Sequence, residues 1–224
     1  VVSGELNPAA ETDLYRFSAA AGDQFFFDVQ TGIANATWRL IDAYSNILFG
    51  TTFNTDVETL VLSQPGTYTL MLEGRRNSTG AAGYAFNVQP VALSTTAISV
   101  GATVSGAITV SGEQDLYSFT LSSNSRLHFD SLSNNGSFVW SLMGPAGTLV
   151  TNRSIIGSDS FDIANPVLDL VAGNYTLTVD AVGDATGLYE FRLLDLASAQ
   201  LLIPGTVVSG ELNPAAETDL YRFS

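Results

Sequence analysis

Acidic side chains gather near the start of the chain, at a spacing that could hold a divalent metal ion. Glu5, Asn7, Glu11 and Asp13 lie within nine residues, and Asp28 follows in an alternating apolar stretch. Calcium is bound by roughly six to eight oxygen ligands, mostly carboxylates and carbonyls, so this spacing predicts a calcium site. The alternative is that Asp13 accepts hydrogen bonds from the amides of a turn before a strand.

A second acidic set repeats this pattern with fewer ligands. Glu113, Asp115 and Asp130 recur at the same spacing, whereas Ala107 and Thr109 replace the first two ligands. Because ligands are lost, we expect calcium to bind more weakly at the second set than at the first. The alternative of hydrogen bonds to turn amides applies to Asp115 as well.

Residues for nucleophilic catalysis are scarce. The chain has no cysteine and a single histidine, His128, which lies between Leu127 and Phe129 in an alternating apolar stretch. A serine triad needs a histidine base, and the corresponding residue of the earlier acidic stretch is Phe26. We therefore expect that the chain is not an enzyme.

The charge balance excludes two classes of partner. There are 22 acidic residues against eight basic ones, all of them arginine, which gives a net charge of −14. Such a surface repels nucleic acid and anionic lipid headgroups. No uninterrupted apolar run reaches the roughly 18 residues that a membrane-spanning helix needs, so no membrane insertion is expected.

Two nested repeats organise the chain. Residues 207–224 are identical to residues 1–18, an offset of 206 residues. Inside that period an older repeat has an offset of 102 residues, which relates Asp13 to Asp115 and Trp38 to Trp140. The period therefore holds two diverged modules, here called module A and module B, each near the ~100 residues of a single sandwich domain.

Apolar residues alternate with polar ones along both modules, which favours β-strands. Tyr68, Leu70 and Leu72 are one such set, and the pair Phe161 and Ile163 predicts another strand in module B. About eight short strands per module, separated by Gly, Asn, Asp and Pro turns, predict an all-β fold of tandem antiparallel jelly-roll-like β-sandwiches.

The repeats also set the predicted domain boundaries. Two segments between modules carry apolar side chains that need burial, unlike flexible tethers. The predicted organisation is module A at 1–93, a linker at 94–103, module B at 104–195, a linker at 196–206, and the start of the next copy of module A at 207–224.

With these landmarks in place, the pattern resembles the bacterial pre-peptidase C-terminal domain. The motifs that carry the resemblance are Gly4–Leu6, Asp13–Phe17, Pro65–Leu70 and Gly83–Phe86. Module B departs from the pattern at Asn124, where a turn glycine is lost. The resemblance implies a jelly-roll-like sandwich similar to the collagen-binding domains of collagenases. It also implies an appendage of secreted enzymes or large surface proteins, in which some members bind calcium, collagen or polysaccharide.

Two functions follow as hypotheses. The first is a non-catalytic structural repeat of a large bacterial extracellular surface protein, such as a stalk, fibre or adhesin. Its partners would be neighbouring repeats of the same protein, joined in a covalent array or a strand-exchange fibre. The alternative is a calcium-assisted appendage that binds collagen or another extracellular matrix component, or polysaccharide, for a secreted hydrolase. Both hypotheses expect a secreted or cell-surface protein.

Overall fold

A computed structural model describes residues 1–158 and 161–223. The chain forms two compact units, Val1–Ala92 with module A and Leu93–Ser224 with module B and the described part of the repeated segment. Within the described ranges, no helix has the length and apolar character to cross a membrane.

Module A consists of eight strands in two four-stranded sheets. The strands are β1 Val2–Leu6, β2 Thr12–Ala19, β3 Gln24–Thr31, β4 Ile33–Ile41, β5 Ile47–Phe53, β6 Val57–Val61, β7 Gly66–Gly74 and β8 Ala82–Pro90. One sheet has the order β1-β8-β3-β6 and the other β2-β7-β4-β5, and the pairs within each sheet are antiparallel. Successive strands alternate between the two sheets, except for β4 and β5, which are neighbours in one sheet, and this is the jelly-roll arrangement.

Module B repeats this order and adds one strand. Its strands are β9 Thr95–Ala97, β10 Thr103–Ile108, β11 Gln114–Leu121, β12 Ser125–Ser131, β13 Phe138–Gly144, β14 Gly147–Ser154, β15 Val167–Leu170, β16 Gly173–Ala181 and β17 Gly187–Asp195. The sheets are β10-β17-β12-β15 and β14-β13-β16-β11-β9. Strand β9 comes from the predicted linker and pairs in parallel with β11.

Side-chain alternation explains why these segments form strands. In β7, Tyr68, Leu70 and Leu72 are buried while the residues between them are partly exposed. Trp38 and Trp140 hold equivalent, fully buried positions in the two cores. Period-two burial on facing sheets is the signature of a sandwich, so the predicted all-β class of tandem antiparallel jelly-roll-like modules is confirmed.

One predicted strand is wrong. Phe161 lies in a turn and Ile163 in no regular structure, and Phe161 is 95% exposed. Two apolar residues separated by one polar residue resemble a strand locally, but no neighbouring strand pairs with this segment in the described part of the chain.

The segment after module B contains little regular structure. It holds a short 3₁₀ turn, Leu196–Ser198, and strand β18 Gln200–Leu201, which pairs in parallel with β19 Tyr221–Arg222.

Candidate functional site

Module A contains a polar cluster between its two sheets. Asp13 and Tyr15 stand two residues apart on β2, so their side chains share one face. On the other sheet, β8 supplies Tyr84, whose hydroxyl donates a hydrogen bond to Oδ2 of Asp13. The hydroxyls of Tyr15 and Tyr84 are 2.5 Å apart. Because the single hydroxyl proton of Tyr84 goes to Asp13, Tyr15 is the donor to Tyr84.

Module B builds the same cluster from equivalent strands. The hydroxyl of Tyr189 on β17 donates to Oδ2 of Asp115 at 2.5 Å, and the hydroxyls of Tyr117 and Tyr189 are 2.6 Å apart. We call both sets the Asp–Tyr–Tyr cluster. Tyr117 is 6% exposed, so the cluster of module B is well shielded from solvent.

A glycine on the first strand makes room for each cluster. Gly4 lies opposite Tyr84 in the register of β1 and β8, and Gly106 lies opposite Tyr189 in β10 and β17. A Cβ atom at either glycine would collide with the hydroxyl of the facing tyrosine. The close approach of the first strand to the tyrosine therefore requires glycine.

The environment keeps Tyr84 and Tyr189 protonated. Burial raises the pKa of Tyr84 far above its usual value, and the hydrogen bonds to Asp13 and Tyr15 add to that shift. Burial, followed by the hydrogen bonds to Asp115 and Tyr117, does the same to the pKa of Tyr189. A phenol held in its protonated form is a hydrogen-bond donor, so the cluster suits cross-linking of the two sheets.

The acidic residues predicted as calcium ligands in module A do not come together in one site. Glu5 accepts a hydrogen bond from the side chain of Asn7 at 3.1 Å, and both residues are exposed. Asp13 belongs to the Asp–Tyr–Tyr cluster, and Glu11 lies at the turn before β2. Among the described residues, Glu5, Glu11, Asp13 and Asp28 do not supply three carboxylates within 4.8 Å of one another.

Asp28 instead lies beside a carboxylate that the sequence pattern did not indicate. It is 4% exposed in β3, and its Oδ2 accepts from the side-chain amide of Gln30 at 2.5 Å. Carboxylate oxygens of Asp28 and Asp56 lie within 4.8 Å of each other, and Asp56 also accepts from the amide of Val29 at 2.8 Å. Two adjacent carboxylates are hard oxygen ligands of the kind that calcium prefers.

The predicted ligands of module B are already engaged within the protein. Glu113 accepts from the amide and hydroxyl of Thr109 and from the amide of Val110. Burial raises the pKa of Glu113, but these hydrogen bonds outweigh burial and leave the pKa lowered. Burial raises the pKa of Asp115, while the hydrogen bond from Tyr189 opposes the shift.

Asp130 is paired with an arginine directly across the sheet. It is 1% exposed and lies opposite Arg192 in the register of β12 and β17. Its Oδ2 accepts from Nη2 and Nε of Arg192 at 2.6 Å and 2.9 Å. The residue opposite Asp28 in module A is the neutral Asn87. The guanidinium of Arg192 therefore supplies in module B a positive charge that Asn87 cannot supply in module A.

The single histidine is a buried strand residue. His128 is 4% exposed and lies opposite Val167 and Leu194 in β15 and β17. Its Nε2 is 3.4 Å from the hydroxyl of Thr218. His128 is therefore packed within a sheet of module B.

Comparison with known proteins gives no family. No family model matches the chain, and no curated protein matches it. One similar solved structure is the CUB1-EGF-CUB2 domain of human MASP-1/3, at 8% identity and a TM-score of 0.25, covering 85% of this chain and 99% of that one. Another is the major capsid protein P2 of bacteriophage PM2, also at 8% and 0.25, covering 86% and 98%. At these scores neither similarity bears on function.

Proposed function

We propose that this chain is a non-catalytic structural repeat of a large bacterial extracellular surface protein, such as a stalk, fibre or adhesin. The observation that carries the proposal is the identity of residues 207–224 with residues 1–18. An identical stretch at a fixed offset is the mark of recent tandem duplication. Repeated copies extend a structural protein in proportion to their number, which is the benefit that duplication brings to a stalk or fibre.

The strand register of module A indicates which strand pair of a load-bearing repeat would open first. In module A, Val2 lies opposite Phe86 and Leu6 lies opposite Ala82, so the chain enters and leaves at the same end of the β1–β8 pair. Tension between the two ends of module A would separate this pair one hydrogen bond at a time. The Asp–Tyr–Tyr cluster joins β8 to the facing sheet through Asp13, so the cluster would hold after β1 has opened.

The size and location of the native protein test this proposal. An antiserum against the chain should detect a denatured band far above the 23.7 kDa of this segment. Protease added to intact cells of the source organism should remove that band, because the array would be outside the cell. A protease-resistant intracellular protein of about the size of one period would contradict the proposal.

A second candidate is a calcium-assisted appendage that binds collagen or polysaccharide. The observation in its favour is the proximity of Asp28 and Asp56 in module A, whose carboxylates would hold the ion. Calcium would neutralise two adjacent negative charges and fix the segment between β5 and β6. The full predicted set is not assembled, because Asp13 is bonded to Tyr84.

Thermal unfolding in calcium and in chelator tests the second candidate. Calcium at about a hundred times its Kd should raise the stability of module A by about 2.7 kcal/mol. Asp56→Asn should abolish the shift, whereas Glu5→Gln, which removes an exposed carboxylate, should preserve it. An equal melting temperature in calcium and in chelator would contradict the second candidate function.

A further inference from the structure

The linker before module B forms a strand at the edge of β11. Strand β9, Thr95–Ala97, pairs in parallel with β11, so that Thr96 lies opposite Tyr117. The amide of Ile98 donates to the carbonyl of Ser118 at 2.9 Å, which continues the pairing past β9. The side chain of Ile98 also packs against the core of module B. The linker is thus bound to the strand that carries Tyr117 of the Asp–Tyr–Tyr cluster.

The linker after module B makes the equivalent contacts. Strand β18 pairs in parallel with β19, and Gln200 lies opposite Tyr221. The amide of Leu202 donates to the carbonyl of Arg222 at 2.7 Å, as the equivalent amide does in the first linker. Partners in the register are 21 positions apart at both linkers. The two linkers therefore bind the strand ahead of them in the same register.

The same turn follows each linker strand. The amide of Ala102 donates to the carbonyl of Ser99 at 3.1 Å, and the amide of Thr206 donates to that of Ile203 at 3.0 Å. The glycine just before each donor has a positive φ, 88° in the first linker and 86° in the second. That glycine is the one residue shared by segments 95–102 and 199–206. Because the other residues differ, the common turn and register are a property of the repeat.

Module A contains the strand that the second linker binds. Tyr221 and Arg222 belong to the stretch that is identical to residues 1–18, and their equivalents are Tyr15 and Arg16 of β2. Strand β2 is the terminal strand of its sheet, in the order β2-β7-β4-β5. The outer edge of a terminal strand presents amides and carbonyls that an added strand can bond. The second linker therefore has the register and hydrogen bonds that the edge of β2 requires.

We propose that the outer edge of β2 in module A is the binding surface for the linker of the preceding period, a segment with the sequence of residues 199–206. Leu201 of that segment lies opposite Arg16 in a parallel pair, and Leu202 packs on the core of module A as Ile98 does in module B. Covering the edge also removes a template for association with other chains. The inference rests on the proposed repeat function and defines how consecutive modules of the repeat join.

Disulfide trapping tests the register. The full chain is given an added copy of residues 196–206 ahead of Val1, with Leu201→Cys in the added segment and Arg16→Cys in module A. Neighbouring strands lie about 4.8 Å apart, within the range of Cα separations that a disulfide spans. The chain has no other cysteine, so a disulfide within one molecule reports this pair alone.

Two further pairs serve as controls. Ala97→Cys with Ser118→Cys is the positive control, because these residues lie opposite each other in β9 and β11. Gln200→Cys in the added segment with Arg16→Cys is the negative control, because neighbouring side chains of a strand point to opposite faces. We expect mild oxidation to link Leu201→Cys at least ten-fold faster than Gln200→Cys. Equal rates for these two, or no disulfide in Leu201→Cys under conditions that link the positive control, would overturn the proposal.

Thermal unfolding tests whether the linker stabilises module A. The added segment should raise the melting temperature of module A by roughly 4–8 °C, the size expected of a few new backbone hydrogen bonds. Leu202→Asp in the added segment should cancel this gain, because an ionised carboxylate cannot pack on an apolar core. Ile203→Asp adds the same charge at an exposed position and should preserve the gain. An unchanged melting temperature, or a gain that survives Leu202→Asp, would contradict the proposal.

Both measurements use the purified chain and do not depend on the size or location of the native protein. Trapping of the linker in a protein that proves to be small and intracellular would support the strand pairing and contradict the repeat function. A large surface array whose linker is not trapped would do the reverse. The failure of the linker proposal and the failure of the proposed function are therefore distinguishable.

Discussion

Modules A and B share a strand order but surround an equivalent buried carboxylate differently. In module B, Asp130 is bonded through two nitrogens to the guanidinium of Arg192. In module A, Asp28 accepts from the neutral amide of Gln30 and lies beside a second carboxylate, Asp56. The fold therefore does not fix which groups surround the negative charge of this buried carboxylate. Both modules retain the apolar alternation and the Asp–Tyr–Tyr cluster, and they have diverged at the buried carboxylate.

The largest expected effect comes from removing the arginine of module B. Arg192→Met would leave the carboxylate of Asp130, 1% exposed, without its positive partner. Breaking a buried ion pair at one end destabilises a protein by about 3–5 kcal/mol. Urea unfolding followed by hydrogen exchange should place this loss in peptides of module B.

Asn87→Met is the matched change in module A, because Asn87 occupies the position opposite Asp28. The side chain of Asn87 donates to that of Gln89 at 3.0 Å, so we expect a loss of about 1 kcal/mol. The double change Asp130→Asn with Arg192→Met should recover part of the lost stability, since no charge is then left buried. Equal losses for Arg192→Met and Asn87→Met would show that the ion pair does not distinguish the modules.

Mutations in the Asp–Tyr–Tyr clusters should affect the stabilities of the two modules less differently than mutations beside the buried carboxylates do. Tyr189→Phe removes the donor to Asp115 and the acceptor for Tyr117, and we expect a loss of about 1–3 kcal/mol in module B. Tyr84→Phe should cause a smaller loss in module A, because Tyr15 is only half-buried while Tyr117 is buried. Urea unfolding at pH 8 measures both losses.

Alkaline pH tests the same clusters. Unfolded tyrosine ionises near pH ~10, whereas the pKa values of Tyr84 and Tyr189 are raised in the native state. Their contribution to stability is complete below the unfolded pKa and is lost as the pH rises through the folded pKa. Stability should therefore fall above pH ~10, and the fall should be shallower in Tyr189→Phe. An identical pH profile for Tyr189→Phe and the unaltered chain would contradict this account.

How well the sequence predicted a feature depended on how far apart its interacting residues lie along the chain. Alternation is local, so Tyr68 was correctly expected on a strand, whereas the same local pattern at Phe161 predicted a strand where the structure has a turn. The cluster was not foreseen, because Asp13 meets a tyrosine 71 residues away. Both modules contain the sequence Asp-x-Tyr and a second tyrosine near the module's end. Only the pairing of the strands shows that these residues come into contact.

The acidic residues illustrate the same limit. Glu5, Asn7, Glu11 and Asp13 are close in sequence, but Glu5 lies on β1 and Asp13 on β2, and these two strands belong to different sheets. The pairing of Asp130 with Arg192 spans 62 residues and depends on strand register. Spacing along the chain therefore identified acidic side chains but not which of them lie close together.

The indole nitrogens provide a smaller contrast between the modules. Nε1 of Trp140 donates to the hydroxyl of Ser158 at 2.7 Å, whereas Nε1 of Trp38 has no hydrogen-bond partner among the described residues. Ser158→Ala would leave a buried donor unsatisfied in module B, at a cost of about 1–2 kcal/mol. Ser122→Ala, at an exposed serine of the same module, should have almost no effect on the urea midpoint. Equal midpoints for the two variants would show that the indole bond is energetically neutral.

The smallest expected effect is at the turn before β11. Glu113 accepts three hydrogen bonds from Thr109 and Val110, and its pKa is lowered in the native state. A lowered pKa stabilises the protein above the unfolded value near ~4.3 and loses that contribution as the pH falls through the folded pKa. Glu113→Gln should therefore reduce stability at pH 7 by less than about 1 kcal/mol, because solvent screens the group, and should flatten the loss of stability below pH ~4. Glu11→Gln changes the equivalent turn of module A, where no such hydrogen bonds to the Glu11 carboxylate occur among the described residues. If Glu11→Gln flattened the acid profile as much as Glu113→Gln, the turn of module B would not be the source of the effect.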